Sequence, residues 1–393
     1  MILYPIQKNW RYLAPVIAKV PGRLLKLGAE VFVQFQKKEM IGDKLPKRIV
    51  LFVTKKCNLK CRHCFYIPNV SSGREMSLGQ IQKIADSAKN NLSQVIFTGG
   101  EPFMRKDFFE IVLSFVKNGC KTVNVITNGT MPEKVRLFLD KMLKETQTQL
   151  IFMVSVDGPQ EIHDKIRAVP GSFRKTMETL SVLSDYYQKY PKRFGNVFAS
   201  TTVNKLNFAH LPQTIAQIKT FKNINHSFSF ARSANLHTIG VKEEYLSGFN
   251  VGSGIILNTD EMKEVLEYLN KEFWNRKSPL FSLINRQIMA ETVKILSPYE
   301  RCPEGTEKKT ANFTCMAGQS EIIIYPEGDV GICEMLKPVG NLNEADYDLV
   351  KFYQNHRNRF QAKKSCHCTH DCALLSSIRF SPESLVEIIK HAQ

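Results

Sequence analysis

Between residues 48 and 231, short apolar, β-prone runs alternate with helical segments, and this alternation limits the fold more than any other feature of the chain. The runs are "RIVLFVT" from 48, "QVIFTG" from 94, "TVNVIT" from 122, "LIFMVSV" from 150, "NVFASTTV" from 196 and "INHSFSFA" from 224. Ser77 and Asp107 stand where helix caps belong, and Gly119 stands where a helix stops. Near-continuous apolar strands separated by helices imply a parallel sheet buried on both faces. Six such units predict an α/β fold, either a partial (β/α)6 TIM-like barrel or a doubly wound sheet. In a barrel, chemistry collects on the loops that follow the strands.

Past residue 235 the alternation stops. Residues 236–300 read as a linking loop and helices, with Thr259 capping a helix that runs to about Arg276. From Cys302 onward, six of the ten cysteines fall in the last 92 residues, so a small cysteine-rich domain is expected there. The expected organisation is an arm over 1–46, the barrel over 47–235, the link over 236–300 and the cysteine-rich domain over 301–393. No stretch of about 18 uncharged apolar residues appears, and no cleavage signal follows the N-terminus. A cytoplasmic setting is expected, in which thiols stay reduced and grouped cysteines more often bind metal than pair.

The net charge of +17 is concentrated at one end, since residues 1–60 hold 13 basic and 3 acidic side chains. There Leu24, Leu25, Leu27, Val31, Phe32 and Phe35 interleave with Arg23, Lys26, Lys37 and Lys38. Two readings fit. Residues 1–45 lie peripherally on an anionic inner membrane face, or they form a solvated arm packed on the protein's own barrel. Nucleic acid is the least favoured partner, because no stacking sheet or RNA-binding motif accompanies the charge.

Directly after the first run, Cys57, Cys61 and Cys64 form C-x3-C-x2-C. A tetrahedral zinc site wants a fourth ligand, and adjacent His63 and Cys64 crowd one small ion. Three thiolates on a tight loop suit three irons of a [4Fe–4S] cluster and leave the fourth open. "TGGEP" at 98–102 ends the second run, where glycines admit close backbone approach and Glu101 can accept from an ammonium group.

Together these motifs resemble the radical S-adenosylmethionine (radical SAM) superfamily. The resemblance covers about residues 47–375 and implies a cluster on Cys57, Cys61 and Cys64 with S-adenosylmethionine bound at its open iron. It implies that Gly99, Gly100 and Glu101 meet the cofactor's amino group and that His63 packs on adenine. Ser155 in "SVDG" and Arg167 in "HDKIR" resemble the pair that grips the cofactor carboxylate in sulfatase-maturing relatives. Asn128, Asp157 and Asn204 sit at strand ends, where they reach ribose or adenine or else cap turns.

Cys315, Gly328 and Cys333 form C-x12-G-x4-C around "PEGDVGI", which reads as a hairpin. The pattern resembles the auxiliary-cluster hairpin of the SPASM and twitch subfamilies, with Cys366, Cys368 and Cys372 of "CHCTHDC" as further ligands. One auxiliary [4Fe–4S] cluster is the implied count, with a second, incompletely ligated one as the alternative. Zinc held with His367 or His370 is the remaining option. Cys120 reads as a small buried residue. Glu334 follows Cys333 where sulfatase-maturing relatives carry a basic Asp, so it is the candidate catalytic base.

The resemblance implies reductive cleavage of S-adenosylmethionine to a 5′-deoxyadenosyl radical that abstracts hydrogen from a peptidic, lipid-linked or small-molecule substrate. Flavodoxin or ferredoxin would supply the electron, attracted by Lys55, Lys56 and Lys60. Two rivals from other classes are a non-catalytic iron–sulfur or zinc protein and an RNA-modifying radical enzyme.

Overall fold

The computed structural model describes residues 20–41, 44–64, 66, 74–232, 238–239, 247, 253–274, 278–297, 315–360, 367–368 and 371–391. Helix α1 (Gly22–Met40) precedes β1 (Arg48–Phe52), and four further parallel neighbours follow in order: β2 (Gln94–Thr98), β3 (Thr122–Thr127), β4 (Gln149–Ser155) and β5 (Phe194–Val203). β6 (Asn225–Phe230) completes the run, again parallel. The connecting helices are α2 (Leu78–Ser87), α3 (Phe108–Lys117), α4 (Pro132–Glu145), α5 (Gln160–Arg167), α6 (Ser172–Lys189) and α7 (Leu211–Lys219). The expected parallel α/β sheet is present, and it does not close into a complete barrel.

Local chemistry explains most helix starts. Ser77 accepts from Gln80 N while Gln80 accepts from Ser77 N, a reciprocal box that caps α2. Asp107 precedes α3 as expected but makes no cap bond; its Oδ1 instead lies 2.8 Å from Arg105 Nε. Helix α8 (Thr259–Glu272) is capped by Asn258 with Glu261, not by Thr259, which is its first helical residue.

The strands differ from the expectation in one respect. Their helix-facing side is dry: Ile49, Leu51, Phe97, Val125, Phe152 and Val197 are all fully buried. Each contributes roughly 1.5–3 kcal/mol by burial. The opposite side is not dry, because β3, β4 and β5 alternate fully and partly buried positions. Asn124, Ile126, Ser155, Ser200, Thr202 and Ser229 turn inward and line a cavity of about 970 Å³. Beside the larger Val50, Ile96, Ile151, Met153 and Phe198, these mostly short side chains leave the partial barrel hollow.

Both edges of the six-stranded unit are covered. Along β6 runs α9 (Leu280–Leu296), whose Asn285 accepts from Phe228 N at 2.9 Å and donates to Phe228 O at 2.7 Å. A side-chain amide thus satisfies a backbone edge. On the other edge β7 (Ile322–Ile324) pairs in parallel with β1, Ile49 opposite Ile322 and Leu51 opposite Ile324. β8 (Asp329–Gly331) and β9 (Gly340–Asn341) follow antiparallel. The expected hairpin over "PEGDVGI" is therefore present, with Gly328 at φ +91° in its turn. It continues the barrel's sheet, and Arg48 Nε donates to Glu321 Oε2 at 2.8 Å across the join. The boundary expected near residue 300 falls in 298–314, outside the described residues.

Beyond α10 (Leu349–Asn355), α11 (Asp371–Arg379) and α12 (Pro382–His391) stack on α9 and α1. Leu25, Ala29, Val33 and Gln36 form the buried face of α1. Val33 packs with Met316 and Phe380, and Lys26 Nζ lies 3.4 Å from Glu383. Helix α1, the described part of the arm, thus packs on its own chain against the C-terminal helix α12. Its other face leaves Leu24, Leu27, Val31 and Phe35 between 47% and 65% exposed. No helix among the described residues is long and apolar enough to cross a membrane.

Candidate cofactor site

The loop carrying Cys57, Cys61 and Cys64 leaves the C-terminal end of β1 and is fixed by backbone bonds on two sides. Gly100 N donates to Thr54 O at 2.7 Å and Glu101 N to Lys56 O at 2.8 Å; Arg62 N donates to Ile166 O at 2.8 Å. These contacts give the glycines a structural reason of their own. A Cβ on Gly99 would lie 2.3 Å from Thr54 O, and one on Gly100 would lie 2.2 Å from Lys56 O. Only glycine lets the second loop pass this close to the first.

All three cysteines line the large cavity, together with His63, Gly99, Gly100, Asn128, Ser155 and Arg167. Burial pushes the Cys57 thiol up to about 11, although the Leu59 N–H facing its sulfur opposes this. Burial also raises Cys61, and Arg167 pulls it back, with Nη1 3.5 Å from its sulfur. Among the described residues no three His, Cys, Asp or Glu side chains are gathered to hold one metal ion. Three crowded, half-buried thiols with a guanidinium beside them fit a group that takes each sulfur on a separate iron.

Two expected ligand contacts are occupied by the protein itself. The Glu101 carboxylate is fully buried and accepts from Phe103 N at 3.2 Å, Thr127 Oγ1 at 2.8 Å and Asn128 N at 2.7 Å. Burial pushes it up to about 7 against those three donors. It braces the loop after β2 against the end of β3, and Gly99 and Gly100 present the cavity-facing backbone instead. Arg167, expected to grip a carboxylate with Ser155, places Nη2 2.6 Å from Asp157 Oδ2 and Nη1 on Cys61, while its buried Nε has no hydrogen-bond partner.

Asp157 and Asn204 lie behind the cavity wall. Asp157 Oδ1 accepts from Thr202 N at 3.0 Å, and the Arg167 guanidinium holds this carboxyl below its usual range despite burial. Asn204 donates to Thr202 O and accepts from Leu206 N, the turn-capping role left open by the sequence. Asn128 does reach the site, its Nδ2 3.9 Å from Cys57 Sγ and 3.0 Å from Asn58 Oδ1. His63 faces the cavity, and burial lowers it to about 4, which leaves the imidazole neutral. The Asp157–Arg167–Cys61 chain was missed from sequence, although "VDG" and "KIR" supply both partners on neighbouring elements.

On the hairpin, Glu334 is 8% exposed and lines the same cavity as Cys57. Cys333 is buried and Cys315 half-buried beside the same core. Cys302 and Cys366 lie outside the described residues, as do the side chains of Cys368 and Cys372. Cys120 is buried as expected, its thiol pushed up to about 11 by burial.

Residues 51–218 match the family model of the Radical SAM superfamily. The chain carries a radical SAM domain. This chain is 26% identical over 344 residues to the antilisterial bacteriocin subtilosin biosynthesis protein AlbA of Bacillus subtilis (strain 168), a match covering 83% of this chain and 65% of AlbA. It is 33% identical over 173 residues to a cysteine-type anaerobic sulfatase-maturating enzyme of Clostridium novyi (strain NT), covering 39% of this chain and 43% of the relative. Among solved structures, Streptococcus suis SuiB bound to precursor peptide SuiA superposes at TM-score 0.52 and 15% identity, over 82% of this chain and 67% of SuiB. Native anSMEcpe with bound AdoMet gives TM-score 0.52 at 18% identity over 80% of this chain and 82% of that one. The radical SAM domain thus has the fold of these structures, and the chain spans less than two thirds of the curated relatives' length. The family implies a [4Fe–4S] cluster and S-adenosylmethionine.

Proposed function

We propose that the chain is a radical SAM enzyme that modifies a peptidic substrate. The observation that carries this reading is the convergence of Cys57, Cys61 and Cys64 with Gly99, Gly100, Asn128, Ser155 and Arg167 on one cavity at the C-terminal ends of β1 to β4. The peptidic substrate is supported by likeness to AlbA and to the sulfatase-maturating enzyme.

When bound, a [4Fe–4S] cluster with S-adenosylmethionine supplies reductive cleavage to a 5′-deoxyadenosyl radical. The three cysteines hold that cluster. Arg167 keeps a positive charge against the Cys61 sulfur, and Asp157 fixes the guanidinium's direction. Gly99 and Gly100 offer backbone acceptors to an ammonium group, Ser155 a hydroxyl to the carboxylate, Asn128 an amide to the ribose, and neutral His63 a flat face to adenine. Glu334, which lines the cavity, is assigned the part of taking a substrate proton. Cys315 and Cys333, with two of Cys366, Cys368 and Cys372, are assigned to one auxiliary cluster. Exposed Lys56 and Lys60 support an acidic flavodoxin or ferredoxin as electron donor, whereas Lys55 is paired with Glu327 at 3.1 Å. The exposed stripe on α1 supports a peripheral contact with an anionic membrane.

The test is anaerobic reconstitution with iron and sulfide, followed by iron counting and a 5′-deoxyadenosine assay with dithionite and S-adenosylmethionine. We expect about eight irons per chain and deoxyadenosine formation. Replacing Cys57, Cys61 and Cys64 with Ala should abolish deoxyadenosine while iron stays at the C-terminal site. Deoxyadenosine at the wild-type rate from that variant would overturn the assignment.

A further inference from the structure

The cavity does not end beneath the cysteine loop. It follows the inward face of the strands to their N-terminal ends, where its lining includes Arg48 of β1, Gln36 of α1 and Arg379 of α11, with Lys47 and Lys121 at the rim. Arg48 and Phe52 mark the two ends of β1, roughly 13 Å apart along the strand.

The charges at this far end do not balance. Arg48 is paired with Glu321. Arg379 has no hydrogen bond or ion pair among the described residues, and its Nε is buried with no partner. Gln36 is 5% exposed, and its Nε2 is likewise buried without one. Burial and the nearby Arg48 lower Arg379 to about 10, while the Glu321 carboxylate that Arg48 holds opposes this, so Arg379 remains charged at neutral pH and the two arginines share one carboxylate. One positive charge, with two buried N–H donors that have no hydrogen-bond partner, therefore stands at the far end of the cavity, an arrangement that burial disfavours unless something answers it.

We propose that this end of the cavity is a carboxylate subsite, in which Arg379 and Gln36 receive one carboxylate of the substrate. A monoanion cancels the charge of Arg379 at the inner end, where a dianion such as sulfate would leave a negative charge answered only by Lys47 and Lys121 at the rim. The planar guanidinium fork matches a planar carboxylate. Only the word substrate rests on the radical SAM reading; binding of a carboxylate does not. Combined with that reading, the subsite selects a substrate long enough to hold its carboxylate a strand's length from the cysteine loop. The carboxylate comes from a peptide's C-terminus or from an acidic side chain.

The test uses the full chain without iron or S-adenosylmethionine, so its outcome is independent of radical chemistry. Thermal midpoints are recorded against sodium acetate, with sodium chloride holding ionic strength constant. We expect the wild-type midpoint to rise by roughly 2 °C over chloride alone. Arg379→Met should show no acetate response and, having lost an unanswered buried charge, should start from a higher midpoint in chloride. Gln36→Leu should keep the response with several-fold weaker apparent affinity. N-acetylglycine and N-acetylaspartate α-amide then distinguish a main-chain from a side-chain carboxylate. No acetate-specific rise in the wild type, an equal rise in Arg379→Met, or a larger rise with sulfate than with acetate would each overturn the proposal.

Discussion

Histidine 226 shows how a single buried group sets a pH dependence. It is 4% exposed, its Nε2 lies 2.8 Å from Thr201 Oγ1, and its ring packs 4.2 Å from that of Phe228. Burial lowers it from 6.5 to about 3, so the folded protein holds it neutral. Between pH 6.5 and about 3 the unfolded chain binds the extra proton. Stability from this group is therefore complete above pH 6.5 and is lost as pH falls through that window. His226→Leu should flatten the acid limb of a denaturant-midpoint against pH curve over this range, and an unchanged limb would remove His226 as its source. Residues of this kind were invisible in sequence. "INHSFSF" shows a histidine on a strand, but not that Phe273 and Phe228 would enclose it. Gly99 and Gly100 were legible as points of close approach, and the cysteine loop's backbone is one partner of that approach.

At the scale of elements, the hairpin of β7 and β8 is the piece that links the two cysteine regions. It adds to β1 in parallel, so the strand preceding Cys57 and the strand preceding Cys333 belong to one sheet. Ile324 is fully buried opposite Leu51. Ile324→Ala should lower stability by about 2–4 kcal/mol, read from urea unfolding, since it leaves a cavity between packed strands. A loss below about 0.5 kcal/mol would mean that the hairpin packs loosely on β1. The hairpin itself was readable from "PEGD" and Gly328, because turn chemistry is local. Its attachment to β1 was not, because pairing between Ile49 and Ile322, 273 positions apart, leaves no trace in either segment.

Over the whole molecule, α1 and α12 pack together, and α1 contributes Gln36 to the cavity's far end. Its outer stripe faces away from the protein. Substituting Leu24, Leu27, Val31 and Phe35 with Gln should reduce co-sedimentation with phosphatidylglycerol vesicles and leave the thermal midpoint near wild type, since none of the four is buried. Unchanged partitioning would rule out a membrane role for this face. The sequence alone determined the repeating strand–helix order, the cysteine loop and the glycine loop after β2, because hydrophobic period, turn residues and thiol spacing act over a few positions. Only the tertiary structure decided that the strands' inner face lines a hollow of mixed polar and apolar side chains, that Arg167 pairs with Asp157 and Cys61, and that the Arg379 Nε is buried without a hydrogen-bond partner among the described residues. Each of those depends on which side chains from distant segments share a low-dielectric space, and no local pattern encodes that.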